Sequence, residues 1–484
     1  MPDFTFYWHD YETFGKVARR DRPSQFAGVR TDADLNEIGQ PLMQYCQPAP
    51  DYLPDPEACL LTGILPQTCL ERGVPEHAFA DAIERELAAP NTVGVGYNTI
   101  RFDDEVTRHL FWRNLIDPYG REWQNGCGRW DLLDVVRCTW ALRPEGINWP
   151  THDDGRPSFK LEHLTAANGL SHEAAHDALS DVRATIGLAR LIKQAQPKLW
   201  DFCLRLRKKD AVMAEAGLDK PRAMWKPFLH ISGMFGHECG CMALVWPLAQ
   251  HPGNKNEILV WDLAHDPTPL FEMSAAEIRQ RLFTKTADLP EGIERLPIKG
   301  VHINKSPIVI GNLKILSPAL MRKWGIDLER AMAHAEVAVD RSPSMDGIWA
   351  ELYARTDAAR AEVDVDEDLY GGFVGNEDRR VLQRLKALAP EQLTDRGQGF
   401  VDERLEEVLF RYRARNFPAT LSEAEQARWQ ALRTARLLEG HGGGLSMAAF
   451  FERIDALSEQ LADEDERAQD ILGALYDYAE QIAP

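Results

Sequence analysis

Long hydrophobic runs are absent from this sequence. No apolar stretch approaches the roughly 18 to 20 residues that a membrane-spanning helix requires. The first ten residues, MPDFTFYWHD, also lack the basic region and the small-residue cleavage site of a secretory signal peptide. Both absences argue against membrane insertion and secretion, so we expect a cytoplasmic protein with no membrane partner.

Paired cysteines are lacking as well. The 8 cysteines are scattered apart from Cys239 and Cys241, and the C-x-x-C spacing of a zinc site does not occur. We interpret them as reduced thiols of the cytosol. A redox or metal role for Cys239 and Cys241 stays open as a minor alternative.

Positive charge is the scarcer sign. The chain carries 55 Lys and Arg against 75 Asp and Glu, which gives a formal net charge of −20 at pH 7. Such an acidic exterior excludes a protein that grips a polyanion over its whole surface. If the partner is a nucleic acid, its basic contacts must be local and binding must be sensitive to salt.

The most informative stretch is FYWHDYETFG, residues 6–15. An aromatic run leads directly into Asp10 and Glu12, and residues two apart on a β-strand point to the same face. Two carboxylates held that close repel each other unless a cation lies between them. Hard divalent ions such as Mg²⁺ take oxygen ligands of this kind. The alternative is two solvated acids at the end of a strand.

A second acidic position follows a second strand. Residues 91–97, NTVGVGY, form a short apolar β run that we expect to be buried beside the first strand. The chain then enters a helix through Asp103, Asp104 and Glu105. Acids in the first turn of a helix are stabilised by its dipole, which is a sufficient explanation for Asp104 and Glu105. Asp103 lies nearest the strand end and is the candidate for joining Asp10 and Glu12.

The helix predicted over residues 171–194 contains His176 and Asp181. Taken alone, such residues are usually a surface pair. Five residues apart in a regular helix, their side chains point in different directions. They reach one point only if His176 lies at the looping start of the helix and Asp181 lies one turn in.

Other segments frame these motifs. We expect residues 14–30 to be a basic, irregular connection, a pair of strands to lie around residues 27–31 and 40–47, and residues 76–88 to be a helix. Residues 130–142 read as an amphipathic helix, with Asp131 and Asp134 as charges at its N-terminus.

Together these motifs supply four carboxylates and one imidazole. This is the set that two-metal hydrolysis of a phosphodiester requires, with the imidazole accepting the proton of the attacking water. The ordered set resembles the DEDD superfamily of 3′→5′ exonucleases, which has an RNase H-like α/β fold. The variant is the histidine one, DEDDh, because position 177 is Asp where the tyrosine variant has Tyr.

The resemblance narrows to the bacterial exodeoxyribonuclease I family. It extends from residue 9 to residue 418 in unchanged order. The resemblance implies that Asp10, Glu12, Asp103 and Asp181 are metal ligands and that His176 is the general base; no departure occurs at these five positions. It implies two Mg²⁺ ions, for which Mn²⁺ can substitute. The similar segments are HDYETFG, DRPSQFAGVRTD, GYNTIRFDDEVTRHLFWRN, WDLLDV, ALRPEGINWP, HDALSDV, HISGMFG, VHINKSP and FRYRARNFP.

At 484 residues the chain is too long for one core, so several domains are expected. The family implies an exonuclease domain over 1–198, an SH3-like β-rich domain over 199–352 and a C-terminal helical domain over 353–484. The sequence pattern agrees with this division, because short predicted strands with loops replace predicted helices between about residues 200 and 350. We interpret the acidic residues 355–370 as the linker into the last domain.

Two regions are candidates for contact with a nucleic acid. Lysines 226, 299, 305 and 314 would form a basic patch with Trp225, Phe228 and His302, or would simply be solvated. Residues 410–417, FRYRARNF, interleave arginines with aromatics, which suits a single strand; a buried structural role is the alternative. We expect the substrate contacts to be Glu12, Arg143, Arg411, Arg413 and Arg415.

The expected function is Mg²⁺-dependent, processive 3′→5′ degradation of single-stranded DNA to 5′-mononucleotides, in DNA repair and recombination. An RNA 3′ exonuclease and a non-catalytic single-strand binder are the alternatives. The resemblance implies the single-stranded DNA-binding protein as a partner, whose acidic C-terminal tail would dock on a basic spot that includes Arg143 and Lys226. The enclosed channel of the family suggests a monomer.

Overall fold

The computed structural model describes residues 4–171, 177–354, 363–394, 398–461 and 465–484. Their strands fall into two sheets. The strands are β1 (Thr5–Thr13), β2 (Pro23–Thr31), β3 (Leu42–Tyr45), β4 (Thr92–Gly96), β5 (Gly128–Asp131), β6 (Phe228–Ile231), β7 (Met242–Gln250), β8 (Glu257–Asp262), β9 (Ile298–His302) and β10 (Ile308–Ile310).

Helices make up most of the remaining regular structure. Among the described residues, no helix is both long enough and apolar enough to cross a membrane. The α-helices are α1 (Pro56–Thr62), α2 (Pro66–Arg72), α3 (Glu76–Leu87), α4 (Asp103–Arg113), α5 (Leu132–Leu142), α6 (Leu161–Ala167), α7 (Ala178–Ala195), α8 (Pro197–Arg205), α9 (Lys209–Glu215), α10 (Ala275–Phe283), α11 (Pro318–Trp324), α12 (Leu328–Arg341), α13 (Asp346–Leu352), α14 (Asn376–Lys386), α15 (Arg404–Asn416), α16 (Glu423–Glu439), α17 (Met447–Gln460) and α18 (Glu466–Gln481).

Strand β1 lies at the centre of the first sheet. The strand order is β3-β2-β1-β4-β5, with β1 antiparallel to β2 and parallel to β4. Both faces of β1 are covered, because Phe6 and Trp8 on one face and Tyr7 and Tyr11 on the other are all buried. Gly28 on β2 allows this packing, since a Cβ there would lie 2.2 Å from the Tyr7 hydroxyl oxygen. The expected pairing of the first strand with residues 91–97 is confirmed.

Strand β2 corrects one expectation. Residues 14–30 were expected to be irregular, with a strand only around residues 27–31, but β2 begins at Pro23 and pairs with β1 along nearly its whole length. A proline is tolerated at the first residue of a strand. The basic residues before it hid the first half of the strand, which includes the fully buried Phe26.

Two helix starts were predicted with different success. Helix α3 agrees with the prediction over residues 76–88. The helix predicted from Trp130 begins instead at Leu132, because Asp131 takes the N-cap position and its side chain accepts a hydrogen bond from the Leu133 amide. Trp130 belongs to β5, whose backbone is extended.

The chain divides into two compact units, and the division falls within β5 and within α7. Unit 1 comprises residues 1–128, 172–186 and 360–484, and unit 2 comprises residues 129–171 and 187–359. Unit 2 holds the second sheet, which is antiparallel with the order β10-β6-β7-β8-β9. Its core includes Trp246, Trp261 and Trp349. Phe228, expected in a basic surface patch, is fully buried in β6, so that expectation is wrong.

In unit 1 the C-terminal helices pack in the same hydrophobic clusters as residues that follow β1 and residues of α4. Phe14, just after β1, packs in one cluster with Leu437 and Leu475. Trp112 of α4 packs in another with Leu382 and Leu409. Each fully buried side chain of this size contributes about 1.5–3 kcal/mol. The C-terminal helices are therefore part of one apolar body with α4 and the strands.

The acidic stretch expected to be a linker is instead bound to arginines where it is described. The Asp366 Oδ2 accepts hydrogen bonds from Arg22 at 3.1 Å, Arg415 at 2.6 Å and Arg436 at 3.0 Å. Burial acts to raise the pKa of Asp366, but the guanidiniums around it hold that pKa well below its usual range. Asp366 is thus a fixed anionic centre between β2 and the helices α15 and α16. Residues 355–362 lie outside the described residues.

We predict that Asp366→Asn lowers the unfolding midpoint markedly. Removing one partner from a buried ion pair costs about 3–5 kcal/mol, because the remaining charges stay buried without compensation. Thermal and urea unfolding measure the effect. The matched control is Asp154→Asn, whose ion pair with Arg156 is exposed and whose loss costs about 0–1 kcal/mol. Equal midpoints for the two variants would contradict the role of Asp366.

Candidate active site

Three of the predicted carboxylates converge. Ligand oxygens of Asp10, Glu12 and Asp181 all lie within 4.8 Å of one another. Asp10 and Glu12 project from the same face of β1, as the two-residue spacing predicted. Asp181 comes from the first turn of α7. The structure therefore brings together acids that are about 170 residues apart in the sequence.

Asp103 joins this group from α4. It is the first residue of the helix and is buried, and its Oδ1 accepts a hydrogen bond from the Tyr11 amide at 3.2 Å. Tyr11 lies between Asp10 and Glu12 in the chain. Thr107 Oγ1 donates to the Asp103 carbonyl at 2.8 Å and lies 3.0 Å from the Tyr11 hydroxyl. The junction of β4 and α4 is thus attached to the end of β1 that carries the acids.

The cluster is electrostatically strained without a cation. Burial and the neighbouring carboxylates of Asp103, Glu12 and Asp181 raise the pKa of Asp10 well above its usual range. Burial, Asp181 and Asp103 raise the pKa of Glu12 to about 8. An all-oxygen donor set with this much mutual repulsion fits hard divalent ions such as Mg²⁺ or Mn²⁺.

The other acids of α4 have structural partners. Arg121 Nη2 lies 2.5 Å from the Asp104 Oδ1, and both side chains are buried. Arg108 lies 2.6 Å from Glu105, in the next turn of the same helix. The expectation that Asp104 and Glu105 belong to the helix start is in line with this arrangement.

The predicted general base lies outside the described residues. His176 falls in residues 172–176, which lie outside the described residues, whereas α7 begins at Ala178. In the sequence His176 therefore precedes the described helix. Its role stays a prediction.

Three of the four arginines expected to contact DNA are buried in ion pairs: Arg411, Arg413 and Arg415. Exposed fractions of 7% for Arg411 and 3% for Arg413 leave no open face for a strand, and the Arg415 side chain is equally covered. The structure favours the structural alternative and corrects the expectation of DNA contact, since these guanidiniums already neutralise buried carboxylates. The pairs are Arg411 with Asp364 and Glu407, Arg413 with Glu425, and Arg415 with Asp51 and Asp366.

The basic residues expected in unit 2 differ in exposure. Arg143, Lys226 and Lys314 are exposed. Lys299 is less so, because its Nζ lies 3.0 Å from His230 Nε2 and 4.7 Å from the centre of the Phe235 ring. Cys239 and Cys241 are free thiols, and burial raises the pKa of both.

Sequence reasoning missed two side chains at the start of α7 and one exposed aromatic residue. Gln25 of β2 and Asp177 both hydrogen-bond the start of α7. Asp177 follows a recognisable pattern, an Asp immediately before an apolar helix. Nothing near Gln25 in the sequence points to a partner 153 residues away. Trp123, also missed, is 61% exposed, and its open ring suits stacking on a base.

Comparisons with known proteins decide the family. Three family models match in succession: Exonuclease over residues 7–189, Exonuclease I SH3-like domain over 207–355 and Exonuclease I C-terminal domain over 363–482. Exodeoxyribonuclease I of Escherichia coli K12 is 44% identical over 482 residues, which cover 99% of this chain and 98% of the relative. The chain belongs to the exodeoxyribonuclease I family. The relative from Haemophilus influenzae is also 44% identical, over 486 residues covering 99% and 98%.

The structure of this chain is similar to solved structures of the exodeoxyribonuclease I family over almost its full length. Exonuclease I from Methylocaldum szegediense has a TM-score of 0.92 at 46% identity, covering 99% of both chains. E. coli exonuclease I in complex with a dA16 oligonucleotide has a TM-score of 0.92 at 43% identity, covering 99% and 100%. A zinc-bound form of the E. coli enzyme with single-stranded DNA has a TM-score of 0.91 at 42% identity, with the same coverage.

These findings confirm the predicted family, the enzyme class and the order of exonuclease, SH3-like and C-terminal domains. The exact boundaries at 198 and 352 stay predictions, as do the roles of the individual site residues.

We predict that Glu12→Gln changes the pH dependence of stability in EDTA. The folded pKa of about 8 lies above the ordinary value of 4.5, so protonated Glu12 favours the folded state. That stability is fully present below about pH 4.5 and is lost as the pH rises to about 8. The wild-type melting temperature should therefore fall between pH 5 and pH 8.5 by more than that of Glu12→Gln. Glu423→Gln, at an exposed position of α16, is the control; parallel curves for all three proteins would contradict the prediction.

Proposed function

We propose that this chain is a divalent-metal-dependent 3′→5′ exonuclease that degrades single-stranded DNA and releases 5′-mononucleotides. The observation that carries the proposal is the convergence of Asp10, Glu12 and Asp181 within 4.8 Å, with Asp103 attached to the same strand end. Full-length likeness to exodeoxyribonuclease I, including structures with bound oligonucleotides, supports DNA as the substrate.

The four carboxylates would hold two Mg²⁺ ions, or Mn²⁺ in their place. When bound, such ions supply positive charge for the transferring phosphoryl oxygens and acidify a water molecule. Asp10 and Glu12 would contribute oxygens from a strand that is packed on both faces, and Asp181 would contribute from the first turn of α7. The chain therefore brings its oxygens to fixed positions before substrate arrives, which limits reorganisation during the reaction.

We assign His176 as the general base. An imidazole near neutrality accepts a proton from the attacking water, a contribution of about 10²–10⁴-fold in rate. Glu12 would also contact the terminal nucleotide. The exposed ring of Trp123 suits stacking on a base, because the two residues that precede it are held against α4: Arg121 by Asp104, and Glu122 by Arg108.

The family likeness also supports finer proposals. We expect degradation to be processive, the protein to act as a monomer in the cytoplasm, and its role to lie in DNA repair and recombination. Trapping dissociated enzyme with excess unlabelled strand measures processivity, and sedimentation measures the oligomeric state. Product release that stops when the trap is added, or a dimer at working concentration, would overturn the respective proposal.

A labelled-strand assay tests the main proposal. Single-stranded DNA with a 3′ end label is incubated with Mg²⁺, beside its duplex, its RNA equivalent and an EDTA control. We expect prompt release of labelled mononucleotide from the single-stranded DNA alone. Digestion of RNA instead of DNA would be consistent with the proposed active site but would contradict the proposal that DNA is the substrate. No release with strand binding intact would indicate a non-catalytic binder.

We predict that Asp10→Ala lowers the rate of this reaction by roughly 10³-fold or more, because a ligand that stabilises the transition state through the metal is lost. His176→Ala should lower it by about 10²–10⁴-fold. Asp470→Ala removes an exposed carboxylate of α18 and serves as the control. Wild-type hydrolysis by Asp10→Ala would exclude the metal assignment.

A partner site is proposed on unit 2. The acidic C-terminal tail of the single-stranded DNA-binding protein would dock on a basic spot that includes Arg143 and Lys226, both of which are exposed. We predict that Arg143→Glu and Lys226→Glu each weaken binding of a synthetic tail peptide several-fold at low salt, because attraction becomes repulsion. Lys285→Glu changes the charge equally at another exposed position of the unit. Fluorescence anisotropy measures the affinity. Equal affinities for all three variants would contradict a docking site at Arg143 and Lys226.

A further inference from the structure

Gln25 lies between the two elements that carry the converging acids. On β2 it pairs directly with Glu12 of β1. Its side chain is buried, and its Oε1 accepts a hydrogen bond from the amide of Ala178 at 3.2 Å. Ala178 is the first residue of α7, the helix that carries Asp181. One side-chain amide thus connects the sheet beside Glu12 to the helix start beside Asp181.

The bond meets a definite need of the helix. The first amides of a helix have no partner within it, and a buried amide without a partner is costly. Asp177 provides for one of them locally, because its carboxylate accepts from the Ser180 amide at 3.1 Å; its carbonyl accepts the first helical bond, from the Asp181 amide at 3.0 Å. Those bonds lie within the segment itself. The Gln25 bond differs because it attaches the helix start to the sheet.

The orientation of the Gln25 amide is set from its other side. Its Nε2 lies 3.6 Å from the sulfur of Met43 on β3. A thioether sulfur accepts hydrogen bonds weakly and cannot donate one. The NH₂ group of Gln25 can therefore bond to it, whereas the carbonyl oxygen cannot. The carbonyl oxygen therefore points to α7, and an apolar side chain at this position would leave the Ala178 amide without its acceptor.

The attachment opposes a repulsion. Asp10, Glu12 and Asp181 are held within 4.8 Å, although carboxylates this close repel one another. Helix α7 can relieve the repulsion by moving away from the sheet, and a bond at its first residue resists that movement. A neutral amide does so without adding a further charge beside Glu12.

We propose that Gln25 is a positioning residue of the metal cluster, which holds the start of α7 so that Asp181 keeps its place beside Asp10 and Glu12. The inference rests on the proposed function. A purely structural Gln25 would affect folding stability alone, whereas a positioning residue also sets the affinity of the cluster for metal.

The test is Mn²⁺ binding by the full-length protein without DNA, measured by titration calorimetry. We expect Gln25→Leu, which removes the acceptor, to bind Mn²⁺ roughly tenfold more weakly than the wild type, as is typical when a group that orients metal ligands is lost. Gln25→Glu keeps an acceptor oxygen of the same reach, and its affinity should stay within about threefold of wild type or rise. The turnover number of Gln25→Leu on single-stranded DNA should fall while its KM stays unchanged.

Gln67→Leu is the matched control. Gln67 also reaches across the fold with one bond to a backbone atom, since its Nε2 donates to the Ala474 carbonyl at 2.5 Å, but it lies in α2. Its loss should lower the melting temperature in EDTA without changing Mn²⁺ affinity. If Gln25→Leu does not fold, Gln25→Asn provides the same comparison, because its shorter side chain keeps the amide but withdraws the oxygen from Ala178.

The outcomes separate this inference from the proposed function. Equal Mn²⁺ affinity for the wild type, Gln25→Leu and Gln25→Asn would overturn the positioning role and leave the exonuclease proposal standing. Equal weakening by Gln25→Leu and Gln67→Leu would also overturn it, because the effect would then be general. A wild-type protein that binds no Mn²⁺ would overturn both proposals.

Discussion

The mutual repulsion of carboxylates at the end of β1 is the constraint on which the site depends. Ligand oxygens of Asp10, Glu12 and Asp181 lie within 4.8 Å of one another, and burial together with the repulsion between the carboxylates raises the pKa of Asp10 and of Glu12. Such an arrangement persists only if the surrounding structure holds each acid in place. The cluster therefore lowers stability locally, as functional sites commonly do.

The surroundings provide that restraint from several directions. Strand β1 is packed on both faces, so its acids cannot turn away. Asp103 is attached to the backbone of β1 through the Tyr11 amide, and Arg121 holds the adjacent Asp104 in a buried ion pair. Gln25 connects the start of α7 to the sheet. Each restraint acts on one acid-bearing element, and together they fix the elements relative to one another.

A second charged cluster, centred on Asp366, combines opposite charges instead of like charges. Its carboxylate receives guanidinium groups from Arg22, Arg415 and Arg436, so opposite charges compensate within the protein. Buried pairs of this kind contribute little net stability, but they require one arrangement of the chain because any other leaves a charge uncompensated. The arginine-rich helix α15 is therefore part of the fold's internal structure, although its alternation of arginines and aromatics is typical of surfaces that bind single strands.

The sequence alone determined the local parts of this protein. The spacing of Asp10 and Glu12 set their common face, the apolar run before them set a buried strand, and the ordered motifs indicated the family and its domain order. These features depend on neighbouring residues, where periodicity and capping act directly. Only the tertiary structure decided that Arg411, Arg413 and Arg415 are buried, that Asp366 belongs to a cluster rather than a linker, and that Gln25 reaches α7. Each of these depends on partners tens to hundreds of residues away, and a residue's type does not reveal whether its charge meets solvent or another chain segment.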